Sequence, residues 1–387
     1  MLQILKRIDK PLLFVTIFLF LFGDLMIFSA SNVETVIRYG ATPYTYFLRQ
    51  TLFLAVGLIG AFFIIKIPTK NYKKFMYPAL VVIIVSLVYL ILKGHMVNNA
   101  ASWIPIGPFK FQPSEFAKIV LIVFFGSYYE MHKKELNDNE FSLLFPLGIG
   151  VLLCMLIYLQ PDLGTTIILG AIMAILFLSL PISKEKKFKY IGISAIVISV
   201  ALVAVMVKGK DFLTEAQKSR FDFREPCKRY EEGGYQVCNA YIAINNGGLL
   251  GVGIGKSTQK YLYLSEAHTD SIMAIIMEEL GLVSALGIIL CYFFIIARIL
   301  VISKNSHNLR NAMITYGIAI YIFLHIMINL MGLFGLMPLT GVPLPFMSYG
   351  GSFSLNLIIA LTIVQRIRYE NEKVKRKKLS EGKMEPA

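Results

Sequence analysis

Long apolar runs and short polar breaks alternate along the whole chain. Runs almost free of charge cover residues 12–30, 46–65, 75–92, 114–129, 143–159, 163–180, 188–207, 271–297, 312–333 and 352–365. A spanning helix needs roughly 20 mostly apolar residues, and these runs recur at about that length. The pattern predicts an all-α, polytopic membrane protein with about ten transmembrane helices. A large extracytoplasmic loop, 208–267, separates the seventh run from the eighth. The first run is too long for the core of a signal peptide, and no small-residue cleavage site follows it cleanly.

Composition agrees with this reading. The 387 residues are 56% hydrophobic and 16% charged, too few charges to cover a soluble domain of this length. The net charge of +14 invites a nucleic-acid reading, and its distribution argues against one. With the N-terminus in the cytoplasm, Lys6, Arg7, Lys10, Lys66, Lys70, Lys73, Lys74, Lys133, Lys134, Lys184, Lys186, Lys187, Lys189, Arg298, Lys304 and Arg310 all fall inside. The short outer loops hold Arg38, Arg49, Lys93 and Lys110. This is the positive-inside asymmetry, and it puts both termini in the cytoplasm. Loop 208–267 carries nine basic residues, but long loops weigh little in that rule. Residues 1–370 read as a single membrane domain. The tail 371–387, with Lys373, Lys375, Arg376, Lys377 and Lys378, reads as a basic cytoplasmic segment lying on anionic lipid.

Of four cysteines, Cys154 and Cys291 sit in apolar runs as packing residues. Cys227 and Cys238 share the large loop, eleven positions apart, a spacing open to a disulfide in an oxidising compartment. No Cys/His spacing suggests zinc. The sequence calls for no cofactor and is silent on a divalent cation.

The unusual residues gather in the outer stretches 31–45, 93–113, 160–162, 208–270 and 334–351. Within the large loop, 208–234 is polar and solvated, whereas 235–255 is apolar and holds Gly247, Gly248, Gly251, Gly253 and Gly255. That second part reads as a short helix and turn dipping into the interface and lining a cavity, because irregular backbone at membrane depth needs shielding.

Ionisable residues near a bundle are candidates for chemistry. Asp270, in Ser265-Glu266-Ala267-His268-Thr269-Asp270, opens the eighth helix. It reads either as an N-terminal cap and dipole partner or as a general base at the membrane face. Glu278 and Glu279 follow deeper in the same run, read as polar contacts between helices. Pro113, Ser114 and Glu115 form a helix start, and Glu115 shares a face with Lys118. The two either pair with each other or line a polar groove. Trp103 reads as an interfacial anchor or a sugar platform, Asp162 as a cap, and Arg49 as a snorkelling side chain or a phosphate ligand. Asp24, inside the first run, needs an interior partner. Lys256 follows a glycine cluster but lacks the spacing of a nucleotide loop. Pro338, Pro343 and Pro345 mark a rigid, non-helical entrance to the last helix. Together these residues suggest a substrate with a lipid tail and a polar or anionic head. They do not separate an enzyme from a lipid transporter.

Four motifs carry a resemblance. WIPIGPFKFQPSEFAK (103–118), QPDLGT (160–165), the run from GGYQ (233–236) through NNGGLLGVGIGKSTQ (245–259) to EAHTDSIMAIIMEELG (266–281), and GVPLPFMSYGGS (341–352) resemble the SEDS family of FtsW, RodA and SpoVE. They occur in the same order over most of the chain, and GKSTQK with EAHTD is closer to the FtsW/SpoVE branch. The resemblance implies a peptidoglycan glycosyltransferase polymerising lipid II at the outer face of the bacterial cytoplasmic membrane. It also implies a class B penicillin-binding protein as transpeptidase partner, beside other division or elongation proteins. It assigns Asp270 as the catalytic residue. It places Arg49, Lys118 and Lys256 as candidate cations for the pyrophosphate. Trp103, Gln112, Glu115, Gln259, His268, Thr269, Ser348, Gly350 and Gly351 would shape the substrate groove. Two departures stand out. Ser271 replaces an aromatic residue usual after the His-Thr-Asp motif, and Asn98-Asn99-Ala100-Ala101-Ser102 lacks a basic residue usual before Trp103. The first is expected to affect packing only; the second puts a phosphate contact from that loop in doubt. A lipid II flippase is the competing expectation, and Asp24, Glu278 and Glu279, lying deeper, are the residues in its favour.

Overall fold

A computed structural model describes residues 4, 6–93, 103–107, 109–192, 225–230 and 234–381. Among these, the chain forms α1 (Lys10–Tyr39), α2 (Thr45–Ile64), α3 (Tyr72–Lys93), a hairpin of β1 (Ile104–Ile106) and β2 (Phe109–Phe111), α4 (Pro113–Met131), α5 (Glu140–Tyr158) and α6 (Leu163–Leu178). Helix α7 covers 184–192. Then come α8 (Tyr235–Gly247), α9 (Ile272–Lys304), α10 (Leu309–Leu333) and α11 (Gly351–Ser380). The predicted apolar runs thus become helices. The run 188–207 is described only as far as 192, and the loop segments 98–102, 208–224 and 231–233 lie outside the described residues. By length and composition, six of the described helices suffice to cross a membrane, and α6 is a shorter apolar helix.

The helices begin where the sequence supplies a cap. Asp9, Asn139, Asp162 and Asn308 each accept a backbone N–H from the first turn of α1, α5, α6 and α10, satisfying donors that a helix start leaves open. Several helices outrun their apolar stretch. Helix α1 continues to Tyr39 rather than stopping near residue 30, held by an i,i+4 pair between Glu34 Oε1 and Arg38 Nη1 at 3.1 Å. Helix α11 runs through the basic segment to Ser380, supported by the i,i+4 pairs Arg366–Glu370, Arg368–Glu372 and Lys377–Glu381.

Beside α4, helix α10 lies at the centre of the bundle. Of its apolar span 72% is buried inside the protein, against 11% for α2 at the periphery. It packs on α4, α6, α9 and α11, while α2 packs on α1 and α11. The helix ends sort onto two faces. On one, Asp9 meets Arg298 Nη2 at 2.5 Å and Gln365, and Thr69 N donates to Glu370. On the other lie Glu34, His268, Asp162 and loop 341–350.

Helix α9 is broken at Gly281, whose φ of 78° and ψ of 177° leave helical geometry. A side chain there would meet strain as well as the Leu249 carbonyl, so glycine is needed. The chain after α8 repairs the break. Val252 N and Gly253 N donate to the carbonyls of Glu278 and Glu279, while Leu282 N and Val283 N donate to those of Gly248 and Leu249. The predicted short helix and turn is therefore present, and protein backbone satisfies its irregular part.

Candidate functional site

Three carbonyls in succession fix the turn before α9. His268 O accepts Tyr349 N at 2.9 Å, Thr269 O accepts Ser348 Oγ at 2.6 Å, and Asp270 O accepts Asn329 Nδ2 at 2.8 Å. Ser348 Oγ in turn accepts Leu344 N at 2.8 Å, and Asn329 Nδ2 also reaches Val342 O at 2.8 Å. Loop 341–350 and α10 thus hold His-Thr-Asp from outside its own segment. The turn is tight, with Glu266 at φ 53° and its carbonyl accepting both Thr269 N and Ser271 N.

Asp270 is half-buried and is not the helix cap; Ser271 occupies the cap position. The Asp270 carboxylate accepts Thr269 Oγ1 at 2.8 Å on Oδ1. Its Oδ2 faces loop 341–350, where a Cβ added to Gly341 would lie 3.9 Å away. Burial holds the Asp270 carboxyl above the ordinary aspartate range; the Thr269 hydroxyl, the residue's own backbone N–H and His268 oppose that rise, and Glu266 adds to it. His268 is buried, its ring 4.4 Å from Tyr46 and 5.7 Å from Tyr349, with Nδ1 3.2 Å from Glu34 Oε2. Burial raises the Tyr349 phenol, and the exposed Arg49 guanidinium beside it works the other way. Ser271 accepts Gln236 Nε2 from α8 at 2.9 Å, so the departure at this position is a tie between segments as well as a packing change.

A second corner adjoins the first. Gln50, buried, donates to Ser354 and accepts Gly350 N. Gln112 N and Lys110 O both engage Ser352 Oγ, seating the hairpin on the start of α11. Gln112 Nε2 lies 3.5 Å from Asp162 Oδ2, while Asp162 Oδ1 caps Thr165 N, as expected. Gly351 permits the Phe53 ring to approach within 2.3 Å of where a Cβ would stand. Trp103 is half-buried where the hairpin begins.

Other expected site residues lie apart. Lys118 is fully buried, 2.8 Å from Glu115 Oε1 and 3.0 Å from His325 Nε2. His325 Nδ1 sits 2.8 Å from Tyr321 O, so Nδ1 is the donor and Nε2 accepts from lysine. Asn356 donates to Glu115 O and to the Tyr321 hydroxyl. Of the two readings of Glu115 and Lys118, the mutual pair describes their geometry. Gln259 N donates to Glu278 Oε2 at 3.3 Å, so its backbone serves the loop 255–260. Lys256 is exposed on that loop, and its neighbour Lys260 is buried, 3.1 Å from Glu279 Oε1. Asp24 Oδ2 accepts Thr51 Oγ1 at 2.7 Å from the exposed face of α2, and its buried Oδ1 has no partner among the described residues, so the expected interior partner is missing. Cys227 and Cys238 are disulfide-bonded, tying the turn Pro226–Arg229 to α8. Among the described residues, no group of three or more His, Cys, Asp and Glu is placed to hold a metal.

Sequence reasoning passed over Glu34, Tyr46, Lys260, His325 and Asn329. The last two carried a usable signal, since polar residues inside the apolar run 312–333 are costly and therefore purposeful.

A family model described as cell cycle protein, for FtsW, RodA and SpoVE, matches residues 10–373. The chain belongs to this family. Among its curated relatives, the probable peptidoglycan glycosyltransferase FtsW of Bacillus subtilis (strain 168) is 34% identical, with 98% of this chain and 96% of that protein covered. The protein of the same description from Haemophilus ducreyi is 31% identical, covering 94% and 90%. The fold is shared with a chain of a solved peptidoglycan synthase complex that coordinates polymerization and crosslinking, at a TM-score of 0.75 and 20% identity over 94% of this chain and 98% of that one. It is shared too with the rod shape determining protein RodA of Thermus thermophilus, at a TM-score of 0.67 and 21% identity over 94% and 97%. This FtsW/RodA/SpoVE member is accordingly a multi-pass membrane protein of bacterial type.

Proposed function

We propose that this protein is a peptidoglycan glycosyltransferase that polymerises lipid II at the outer face of the cytoplasmic membrane, with Asp270 as its general base. The carrying observation is the turn 268–270: each of its carbonyls is held from another segment, while Asp270 Oδ2 faces the loop 341–350 across the space left by Gly341. A fixed carboxylate with a raised pKa and a free oxygen suits proton abstraction. In the step, Oδ2 takes the proton of an acceptor sugar hydroxyl. The freed oxygen bonds to the donor's anomeric carbon, and the bond from that carbon to polyprenyl pyrophosphate breaks. Of the candidate cations, Arg49, exposed beside Tyr349, is the one left for the pyrophosphate, because Lys118 is committed to Glu115 and Lys256 lies apart on the loop 255–260. The description of its relatives as probable peptidoglycan glycosyltransferases and the likeness to a synthase complex that coordinates polymerization and crosslinking support this activity and a class B penicillin-binding partner. The positive-inside asymmetry and the Cys227–Cys238 bond support an extracytoplasmic site.

The test is polymerisation of lipid II in detergent by the protein with its partner. Wild type is expected to make glycan chains and Asp270→Asn to make on the order of 10²–10⁴-fold fewer. Chains from the variant at the wild-type rate would reject the base. Of the three acidic residues that favoured a flippase, Glu278 and Glu279 are occupied by donors from 257–260 and Ser29, which speaks against a path through them, whereas Asp24 keeps one buried oxygen without a partner among the described residues.

A further inference from the structure

We propose that Glu34 is a positioning residue for the transfer reaction, acting through His268 on the turn that carries Asp270. The inference rests on the reading of Asp270 as the base. Glu34 belongs to none of the recognisable motifs; it lies near the outer end of α1, a helix that contributes no expected site residue. It is nonetheless a buried carboxylate, with Oε2 3.2 Å from His268 Nδ1 and Oε1 3.1 Å from Arg38 Nη1. A buried carboxylate is costly unless its partners repay the lost water. Arg38 is 63% exposed and so screened by solvent, which leaves the buried His268 as the closer partner in character.

His268 transmits the contact. Its ring is packed against Tyr46 and Tyr349, and its carbonyl is held by Tyr349 N. The turn's three carbonyls are fixed by loop 341–350 and α10. Glu34 supplies a contact from a further element, α1, and it reaches a side chain rather than the backbone. With both holds in place, the imidazole cannot swing, and the peptide planes leading to the Asp270 Cα keep one orientation. Displacing a reacting group by about 1 Å can cost ~10²-fold in rate without loosening the fold. The charged and titratable groups around the pair are Arg38 and Tyr39 on α1, Tyr46 and Arg49 on α2, Glu266 and Asp270 on the turn itself, and Tyr349 on the facing loop.

The experiment compares wild type, Glu34→Ala, Glu34→Gln and Asp270→Asn in the full-length complex with its partner, using lipid II and reading kcat, KM and the thermal unfolding midpoint. Glu34→Ala is expected to lower kcat roughly 30- to 100-fold with KM for lipid II within about twofold and the midpoint unchanged. Glu34→Gln is expected to recover most of that loss, because its amide fills the same space and keeps an oxygen beside His268 Nδ1, which has no other partner among the described residues. A Glu34→Ala kcat near wild type, a loss that follows a fallen midpoint, or no recovery in Glu34→Gln would each overturn the proposal. An active Asp270→Asn beside a slow Glu34→Ala would reject the base and leave the positioning of this turn standing.

Discussion

Asp270 and Glu278 lie within one short stretch of chain and have opposite surroundings. Glu278 is fully buried and saturated: it accepts from the hydroxyls of Ser257 and Thr258, from the backbone of Thr258 and Gln259, and from Asn246. Asp270 is half-buried and accepts one side-chain donor, Thr269. A carboxylate wrapped in donors has its lone pairs occupied and its charge dispersed, so it anchors a loop. A carboxylate whose backbone is held but whose side chain is left sparsely bonded keeps an oxygen for a proton. The same functional group thus becomes an anchor or a base according to whether the side chain or the main chain is what the fold restrains.

The largest effect should come from Asp270→Asn, which removes the free oxygen's basicity and leaves the turn's backbone bonds in place. Next is Glu278→Ala, expected to destabilise the protein by about 3 kcal/mol by orphaning buried donors of 257–259. The readout is the unfolding midpoint of purified protein in detergent, and an unchanged midpoint would break the contrast between the two acids. Breaking the Cys227–Cys238 bond by paired serine substitution should act locally, at no more than ~3 kcal/mol for a closed loop of this size. Faster proteolysis around 225–238 with turnover within about threefold is the expected result; loss of turnover would tie that turn to the site.

The smallest effect concerns stability against pH. The Asp270 carboxyl is raised by burial, so the folded state binds its proton more tightly than the unfolded chain does. Its contribution is therefore favourable below the ordinary aspartate value and is lost as pH rises through the higher folded value. Asp270→Asn should then unfold at a slightly higher temperature than wild type at neutral pH, with the difference vanishing in acid. A lower midpoint for the variant at neutral pH would mean that the ionised carboxylate stabilises the turn.

Much of the helical layout was legible because apolar runs report bilayer depth directly. The four motifs likewise pointed to His268, Thr269, Asp270 and Ser348, which the fold brings together. Other features carried no local signal. Ser29 and Glu279 bond across 250 positions, and Glu34 meets His268 from the other end of the chain. Nothing near either residue announces such a partner. Gly281 stands in the sequence only as the end of the motif run 266–281, and the backbone of 248–253 gives it the role of a break. Lys118 was drawn toward the substrate by its motif, whereas His325, 207 positions away in sequence, claims it for the interior.

The broken helix also bears on how the protein is made. Residues 248–253 leave the ribosome before residues 278–283, with which they exchange backbone hydrogen bonds. Alone in hydrocarbon, each of those open groups would cost several kcal/mol. Neither strand of this exchange is a stable guest of the bilayer until the other arrives. The stretch from α8 to Val283 is therefore expected to acquire its fold as one cooperative unit, since each segment satisfies the backbone groups that the other leaves open.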